Sequence, residues 1–437
     1  MGAEIQLDEE LSEIEVADCR RERPKRPHED PFYSPPPASA AARPGTILRA
    51  RRVEVAFLGL IKQRIDAWQL LYRSTDLHGR PDTTVTTILV PAGTRRRNRP
   101  VLAYQCAVDA ITDRCMPSYA LRRRAYACGA PPAYELVLVA AALRQGWAVS
   151  IADHAGIDGR FGAPREPGYR ALDGIRAALA FGPLGLSAST PVALWGYSGG
   201  GMATSWAAEM ADSYAPELNI VGAALGSPVG DPGEAFIKLN ATLHTGLPAL
   251  VLAALEGEYP ALHNVIRDHV SVAGRRRLER VRKLQTVPAV AMFAFDDFDD
   301  FLDIPLADVL AQPEVLAVFD DLRLGSTAPR FPLFIVQGVH DQMIDVADVD
   351  GQAERYAGAG AHVTYVRDRS SEHITLAPLS AAAVLNWLQA RIDGRPLPAP
   401  ETKTVRSVLF SPSALRGFGR IVGVTARVVL GRPITSR

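Results

Sequence analysis

Short stretches rich in β-branched and aromatic residues alternate with longer amphipathic ones along most of this chain, and that alternation limits its possible folds more than any other feature. The extended stretches are 67–74 (AWQLLYRS), 83–91 (TTVTTILVP), 100–105 (PVLAYQ), 147–153 (WAVSIAD), 191–197 (PVALWGY), 220–226 (IVGAALG), 332–338 (PLFIVQG) and 362–368 (HVTYVRD). Between most of the later ones lie segments with apolar residues at three- and four-residue spacing, the clearest being 168–181, 200–214, 346–360 and 374–392. Continuous apolar runs of strand length belong to strands buried on both faces, which calls for helices above and below a mostly parallel sheet. The expected class is therefore α/β, of the doubly wound kind.

Between 226 and 332 the alternation stops. The intervening segment has helical composition (TGLPALVLAALEGEYPAL, the basic RRRLERVRKL, the acidic FDDFDDFLD) and is far too long for a loop. It predicts a helical cap over 227–326, inserted into a core made of 46–226 and 327–395. Residues 1–45 are charged and then proline-rich, which predicts a flexible arm, disordered or lying along the body. Residues 396–437 form a C-terminal extension. Its segment ALRGFGRIVGVTARVVLGRP is basic and amphipathic; a packed or surface element is the favoured reading there over peripheral contact with a lipid interface.

With 47% hydrophobic and 22% charged residues over 437 positions, the chain has ample material for a large core, which excludes disorder as its main state. Its 48 basic and 48 acidic residues cancel, so no net field draws it onto nucleic acid, and a neutral or apolar substrate suits it. The four cysteines (Cys19, Cys106, Cys115, Cys128) form no zinc-type pair and allow at most one bridge, Cys115 to Cys128. The charged N-terminal residues contain no apolar segment of the roughly 7 to 15 residues that a secretion signal needs. No apolar run reaches the roughly 18 residues of a membrane span. A cytoplasmic location is the expectation, and neither a metal nor an organic cofactor is expected.

The strongest chemical signal is Gly196-Tyr197-Ser198-Gly199-Gly200, which follows the strand PVALW and opens the helix GMATSWAAEM. This is the G-x-S-x-G pattern in its required strand, turn and helix context. A serine on such a turn is strained and exposed, and its small neighbours let the backbone pass closely. The helix that follows turns its free N–H groups toward the serine, and Gly199 is expected to supply one oxyanion donor.

A serine hydroxyl is a weak nucleophile and needs a base, itself oriented by an acid. In the α/β-hydrolase fold that this arrangement suggests, the order is serine, acid, histidine. After the cap, PLFIVQG runs into Val339-His340-Asp341, which puts Asp341 at the carboxyl end of a strand; Asp345 is its rival. The next strand is followed by His373, in the loop from which a histidine reaches back to Ser198. His340 and His362 are poorly placed, and His28, His78, His244, His263 and His269 read as solvated or structural. The second oxyanion donor is expected in the loop after PVLAYQ, where no glycine cluster stands and Asp109 or a neighbour is the candidate.

These residues, with DPFYSPP, AYQCAVDAITDRCMPSYAL, IADHAGIDGRFGAPREPGYRALDGIRAAL, GVHDQMIDV and EHITLAPLSAAAVLNWLQARIDGRP, resemble the secretory lipases related to yeast lipase A, with relatives in actinobacteria. The resemblance implies an α/β-hydrolase with a helical cap over a lipid-accepting tunnel, acting on triacylglycerols and simpler acyl esters. It implies Ser198, Asp341 and His373 as the triad and Gly199 with Asp109 as the oxyanion hole. The chain departs from the family in three ways. No signal segment is visible, the cap lacks the cysteine often bridged to the one matching Cys115, and Val108 stands where a tyrosine often precedes the oxyanion aspartate.

The expected function is carboxylic ester hydrolysis through an acyl-enzyme, with the apolar cap stretch Leu247 to Leu262 receiving the acyl chain. An acyltransferase and a peptidase of the same fold are the enzymatic rivals. A non-catalytic lipid-binding module is the rival from another class.

Overall fold

The computed structural model describes residues 14–93 and 99–436. In chain order its strands are β1 (Val16–Asp18), β2 (Ile47–Arg52), β3 (Ala56–Phe57), β4 (Ile61–Lys62), β5 (Ile65–Thr75), β6 (Pro81–Pro91), β7 (Val101–Gln105), β8 (Ala148–Ala152), β9 (Val192–Tyr197), β10 (Ile220–Gly226), β11 (Leu333–Gly338), β12 (Val363–Asp368) and β13 (Glu401–Val405). All but β3 and β4 join one sheet, in the order β1-β2-β5-β6-β8-β7-β9-β10-β11-β12-β13. From β8 to β13 every pairing is parallel, whereas β5 pairs antiparallel with β2 and β6, and β6 antiparallel with β8.

The strands run apolar because both faces are covered. On β9 the successive residues Leu194 and Trp195 point to opposite sides and are both buried. Leu194, with Leu225 and Ile335, packs toward the helices Glu166–Ala180, Gly199–Tyr214 and Val346–Gly358. Trp195, with Phe334 and Val336, packs toward Pro132–Arg144, His373–Ile392 and Pro412–Val429. Burying one such leucine contributes roughly 1.5–3 kcal/mol, so the two layers hold the sheet from either side.

The segment between β10 and β11 is helical, with Pro232–Leu239, Gly246–Leu255, Pro260–His269, Val272–Val281, Thr286–Phe293, Leu306–Leu310 and Pro313–Leu322. It has a core of its own, including Leu250, Ile266, Leu278, Val281 and Phe293. The C-terminal extension is built into the body rather than appended to it, since β13 pairs with β12 and the helix Pro412–Val429 buries its inner face.

Part of the expected flexible arm, residues 1–13, lies outside the described residues. The remainder, 14–45, is pinned along the body. β1 pairs with β2, Arg26 Nε and His28 Nδ1 each meet the buried Asp113 at 2.9 Å, Arg51 pairs with Asp30 at 2.6 Å, and the buried Tyr33 bonds Ser118 at 2.7 Å. These partners are far away in sequence, so local composition left disorder and docking along the body as alternatives, and the contacts decide for docking.

The one bridge the sequence allowed, Cys115 to Cys128, does not form: all four cysteines are free, Cys115 buried and Cys128 exposed. The Cys115 sulfur instead faces Thr286 Oγ1 of the cap at 4.0 Å.

Candidate active site

Sheet register brings the loops of interest to one edge. Gln105 of β7 lies opposite Gly196 of β9, and Tyr197 lies opposite Gly226 of β10. Gly338 of β11 lies opposite Asp368 of β12. The residues that follow these strands therefore leave the sheet side by side, where open α/β sheets gather their ligands.

Ser198 sits at φ 56° and ψ −122° as the cap residue of the helix Gly199–Tyr214, with its N–H donating to the Gly226 carbonyl at 2.8 Å. A non-glycine residue there is strained, and the close passage of backbone around it holds that strain in place. A Cβ on Gly200 would lie 2.0 Å from the Gln105 carbonyl oxygen, and one on Gly199 would lie 2.0 Å from Asp109 Oδ1. Gly200 is thus required by the backbone that crosses it, and Gly199 leaves the room that the Asp109 carboxyl occupies.

The three residues expected in a triad come together. His373 Nε2 lies 2.9 Å from Ser198 Oγ, and His373 Nδ1 lies 2.7 Å from Asp341 Oδ2. Asp341 Oδ1 accepts the N–H groups of Met343 and Ile344, each at 2.8 Å. Burial by itself pushes the Asp341 carboxyl up, but the bond from His373 and the two backbone donors outweigh it and hold the pKa below the usual range. The rival Asp345 has other work. It caps the helix Val346–Gly358 through the Ala347 N–H at 3.0 Å and pairs with Lys238 of the cap at 2.9 Å. The same Lys238 ammonium donates to the Asp341 carbonyl oxygen at 3.0 Å.

Across from the histidine, Asp109 is buried at φ 41°, and its Oδ1 has no hydrogen-bond partner in the protein. Burial first and the neighbouring Glu135 carboxyl second push its pKa up to about 7, against an opposing pull from His373. A carboxyl near neutrality is half protonated and can donate a hydrogen bond as well as accept one. Gly199, the first residue of its helix, has an N–H without an intrahelical acceptor.

Two residues that the sequence did not single out hold this loop. His154 Nε2 donates to the Cys106 carbonyl oxygen at 2.8 Å, and Glu135 Oε1 accepts the Ala107 N–H at 3.0 Å. Burial lowers His154 to about 4, which keeps it neutral, and burial raises Glu135 to about 7. From the cap, Thr286 Oγ1 donates to the Asp109 carbonyl oxygen at 3.0 Å. The only local signal for either clamp residue is that His154 closely follows a strand. Of the remaining histidines, His28, His78 and His269 pair with Asp113, Glu258 and Asp303, and His340 is exposed.

An apolar cavity of about 80 Å³ opens at Ser198 and Asp109, lined by Phe236, Leu247 and Val251 among others. A second, of about 90 Å³, runs deeper into the cap along Leu252, Leu255 and Leu262. Phe236, Val251, Phe319 and Leu322 line both, so the two cavities adjoin across a shared apolar wall. Among the described residues no cluster of three His, Cys, Asp or Glu is placed to hold a metal ion.

Sheet order, flanking helices and an elbow at the end of a central strand define an α/β-hydrolase. Candida antarctica lipase A in its closed state superposes with a TM-score of 0.82 at 25% identity, covering 94% of this chain and 100% of that one. Residues 121–399 match the family described as secretory lipase, and the chain belongs to that family. It is 52% identical to a Mycobacterium tuberculosis protein named a probable inactive lipase, over 96% of this chain and 94% of that one. It is 34% identical to Lipase A of Arthroderma benhamiae, over 97% and 92% of the two chains.

Proposed function

We propose that this protein hydrolyses carboxylic esters of lipids, triacylglycerols among them, with Ser198 as nucleophile, His373 as base and Asp341 as the orienting acid. The observation that carries the reading is the unbroken chain Asp341–His373–Ser198 opening onto an apolar cavity. His373 takes the Ser198 proton as Oγ attacks the ester carbonyl, and passes it to the departing alcohol. Water then attacks the acyl-enzyme, giving its proton to His373, and Ser198 is restored. Asp341 holds the Nδ1–H tautomer and stabilises the imidazolium. The Gly199 N–H and the protonated Asp109 carboxyl receive the oxyanion, and the acyl chain extends past Val251 into the cap.

The name of the Mycobacterium tuberculosis relative favours a second reading, a lipid-binding module without turnover. Hydrolysis of p-nitrophenyl esters of graded chain length, with Ser198→Ala beside the wild type, separates the two. Turnover lost in the variant supports the hydrolase. Absent wild-type turnover and absent fluorophosphonate labelling in a folded protein overturn it. Added alcohol tests the acyltransferase alternative, since an ester product in place of free acid would mark transfer. Membership of a family described as secretory supports export in place of the cytoplasmic location expected from the sequence, and cell fractionation decides between them.

A further inference from the structure

The helix Pro412–Val429 is apolar on two sides. Its inner residues Ala414, Gly417, Ile421, Val424 and Val428 are buried against the body. Its outer stripe is formed by Leu415, Gly419, Val422 and Ala426, which recur at i, i+4, i+7 and i+11 and so face one direction. Leu415 is 55% and Val422 53% exposed, and Phe410, Val429 and Leu430 at the helix ends are exposed as well. A surface helix ordinarily turns polar residues outward, and this stripe has none. Along one flank runs a row of arginines, Arg416, Arg420 and Arg427.

The charge around this stripe is one-sided. The whole chain is neutral, yet residues 402–437 contain seven basic residues (Lys403, Arg406, Arg416, Arg420, Arg427, Arg432, Arg437) and no acidic one. The groove beside the helix, about 560 Å³, is lined by Arg144, Arg416, Arg420 and Arg427 with Asn386 and Gln389, and by no carboxylate. The surface that fits this face is both apolar and anionic. A helix one stripe wide with basic residues beside it lies in the plane of a lipid interface, its apolar residues at the acyl boundary and its cations among phosphates.

We propose that the helix Pro412–Val429 docks flat on an anionic phospholipid surface, with Leu415, Val422 and Val429 entering the acyl boundary and Arg416, Arg420 and Arg427 meeting lipid phosphates. The docking needs no turnover at Ser198, so it stands or falls independently of the proposed hydrolysis.

The test is co-sedimentation of the full chain with vesicles of phosphatidylcholine alone and of phosphatidylcholine mixed with phosphatidylglycerol. Binding is expected to the mixed vesicles only and to weaken with salt. Replacing arginine by alanine should weaken it roughly fivefold per residue, on the order of 100-fold for Arg416→Ala/Arg420→Ala/Arg427→Ala combined. Leu415→Ser/Val422→Ser should weaken it as well, with the thermal midpoint unchanged in both variants. Equal binding to neutral vesicles, or full binding by the triple variant, overturns the proposal. So does a variant that turns a dimer into a monomer in light scattering without changing lipid binding, which would make this face an interface between copies of the chain.

Discussion

Glu135 and His154 grip the two polar ends of a single peptide group, that between Cys106 and Ala107, two residues before Asp109. His154 donates to its carbonyl from a buried position, and Glu135 accepts from its N–H from a half-buried one. In the proposed reaction they act as positioning residues, because a loop held at both ends of one peptide cannot tilt Asp109 away from the oxyanion. His154→Ala leaves the Cys106 carbonyl buried without its donor, a loss of about 1–3 kcal/mol in urea unfolding. It should lower kcat more than it raises KM. An unchanged kcat would show that the clamp serves stability alone.

Asp109 supplies a pH prediction. With its pKa near 7, raising the pH ionises the carboxyl, removes its O–H and places a negative charge where the oxyanion forms. Hydrolysis should fall on the alkaline side with a midpoint near 7. Asp109→Asn keeps a donor and cannot ionise, so that limb should vanish, while Asp109→Ala should cost about 10²–10³-fold in kcat. Glu135→Gln removes the neighbouring negative charge, lowers the Asp109 pKa and should move the limb to lower pH. Both carboxyls are raised in the fold, so the stability they contribute is complete below their unfolded values and lost as pH rises through about 7. Each amide variant should therefore gain most, relative to the wild type, in unfolding measured above pH 7.

The two aspartates after β11 should separate cleanly. Asp341→Asn leaves His373 in the wrong tautomer and should lower kcat by about 10⁴-fold. Asp345→Asn keeps a capping oxygen and loses only a partly exposed charge pair with Lys238, which predicts a stability loss of at most about 1 kcal/mol and a kcat within a few-fold of wild type. A large kcat loss in Asp345→Asn alone would reassign the acid.

Val251 lines both apolar cavities, and an acyl chain reaching from Ser198 into the cap would pass it. Val251→Trp should obstruct that path, abolishing turnover of long-chain p-nitrophenyl esters while sparing acetate and butyrate. Equal losses across all chain lengths would show that the acyl chain takes another route.

Gly200 tests the elbow. Its missing Cβ leaves room for the Gln105 carbonyl, a backbone atom that cannot rotate aside, so Gly200→Ala must shift the Ser198 turn or β7. Overpacking of this kind costs about 1–3 kcal/mol, and fluorophosphonate labelling of Ser198 should slow with it. Normal labelling would mean that the turn absorbs the methyl group.

Much of this protein was legible from local pattern. The eight extended stretches read from the sequence coincide with the eight strands β5 through β12, because burial on both faces leaves a strand little but apolar residues. Ser198 was legible because its turn is made by immediate neighbours, a strand before and a helix after. The edges of the sheet were not. β1 and β13 are short and largely solvent-facing, so they lack an apolar run, and the helix Pro132–Arg144 is apolar nearly all round, so it lacks the clear amphipathic spacing of the others. The choice between Asp341 and Asp345 rested in the sequence on distance from the strand alone, whereas in the fold Lys238, about a hundred residues earlier, occupies Asp345 and leaves Asp341 to His373. Glu135 and His154 had no local signature. Sequence order places β8 after β7, but the sheet inserts β8 between β6 and β7, so the residue just past β8 comes to rest against the loop just past β7. Strand order is set by long-range pairing and by which faces the helices must cover, so only the tertiary structure could put His154 against Cys106.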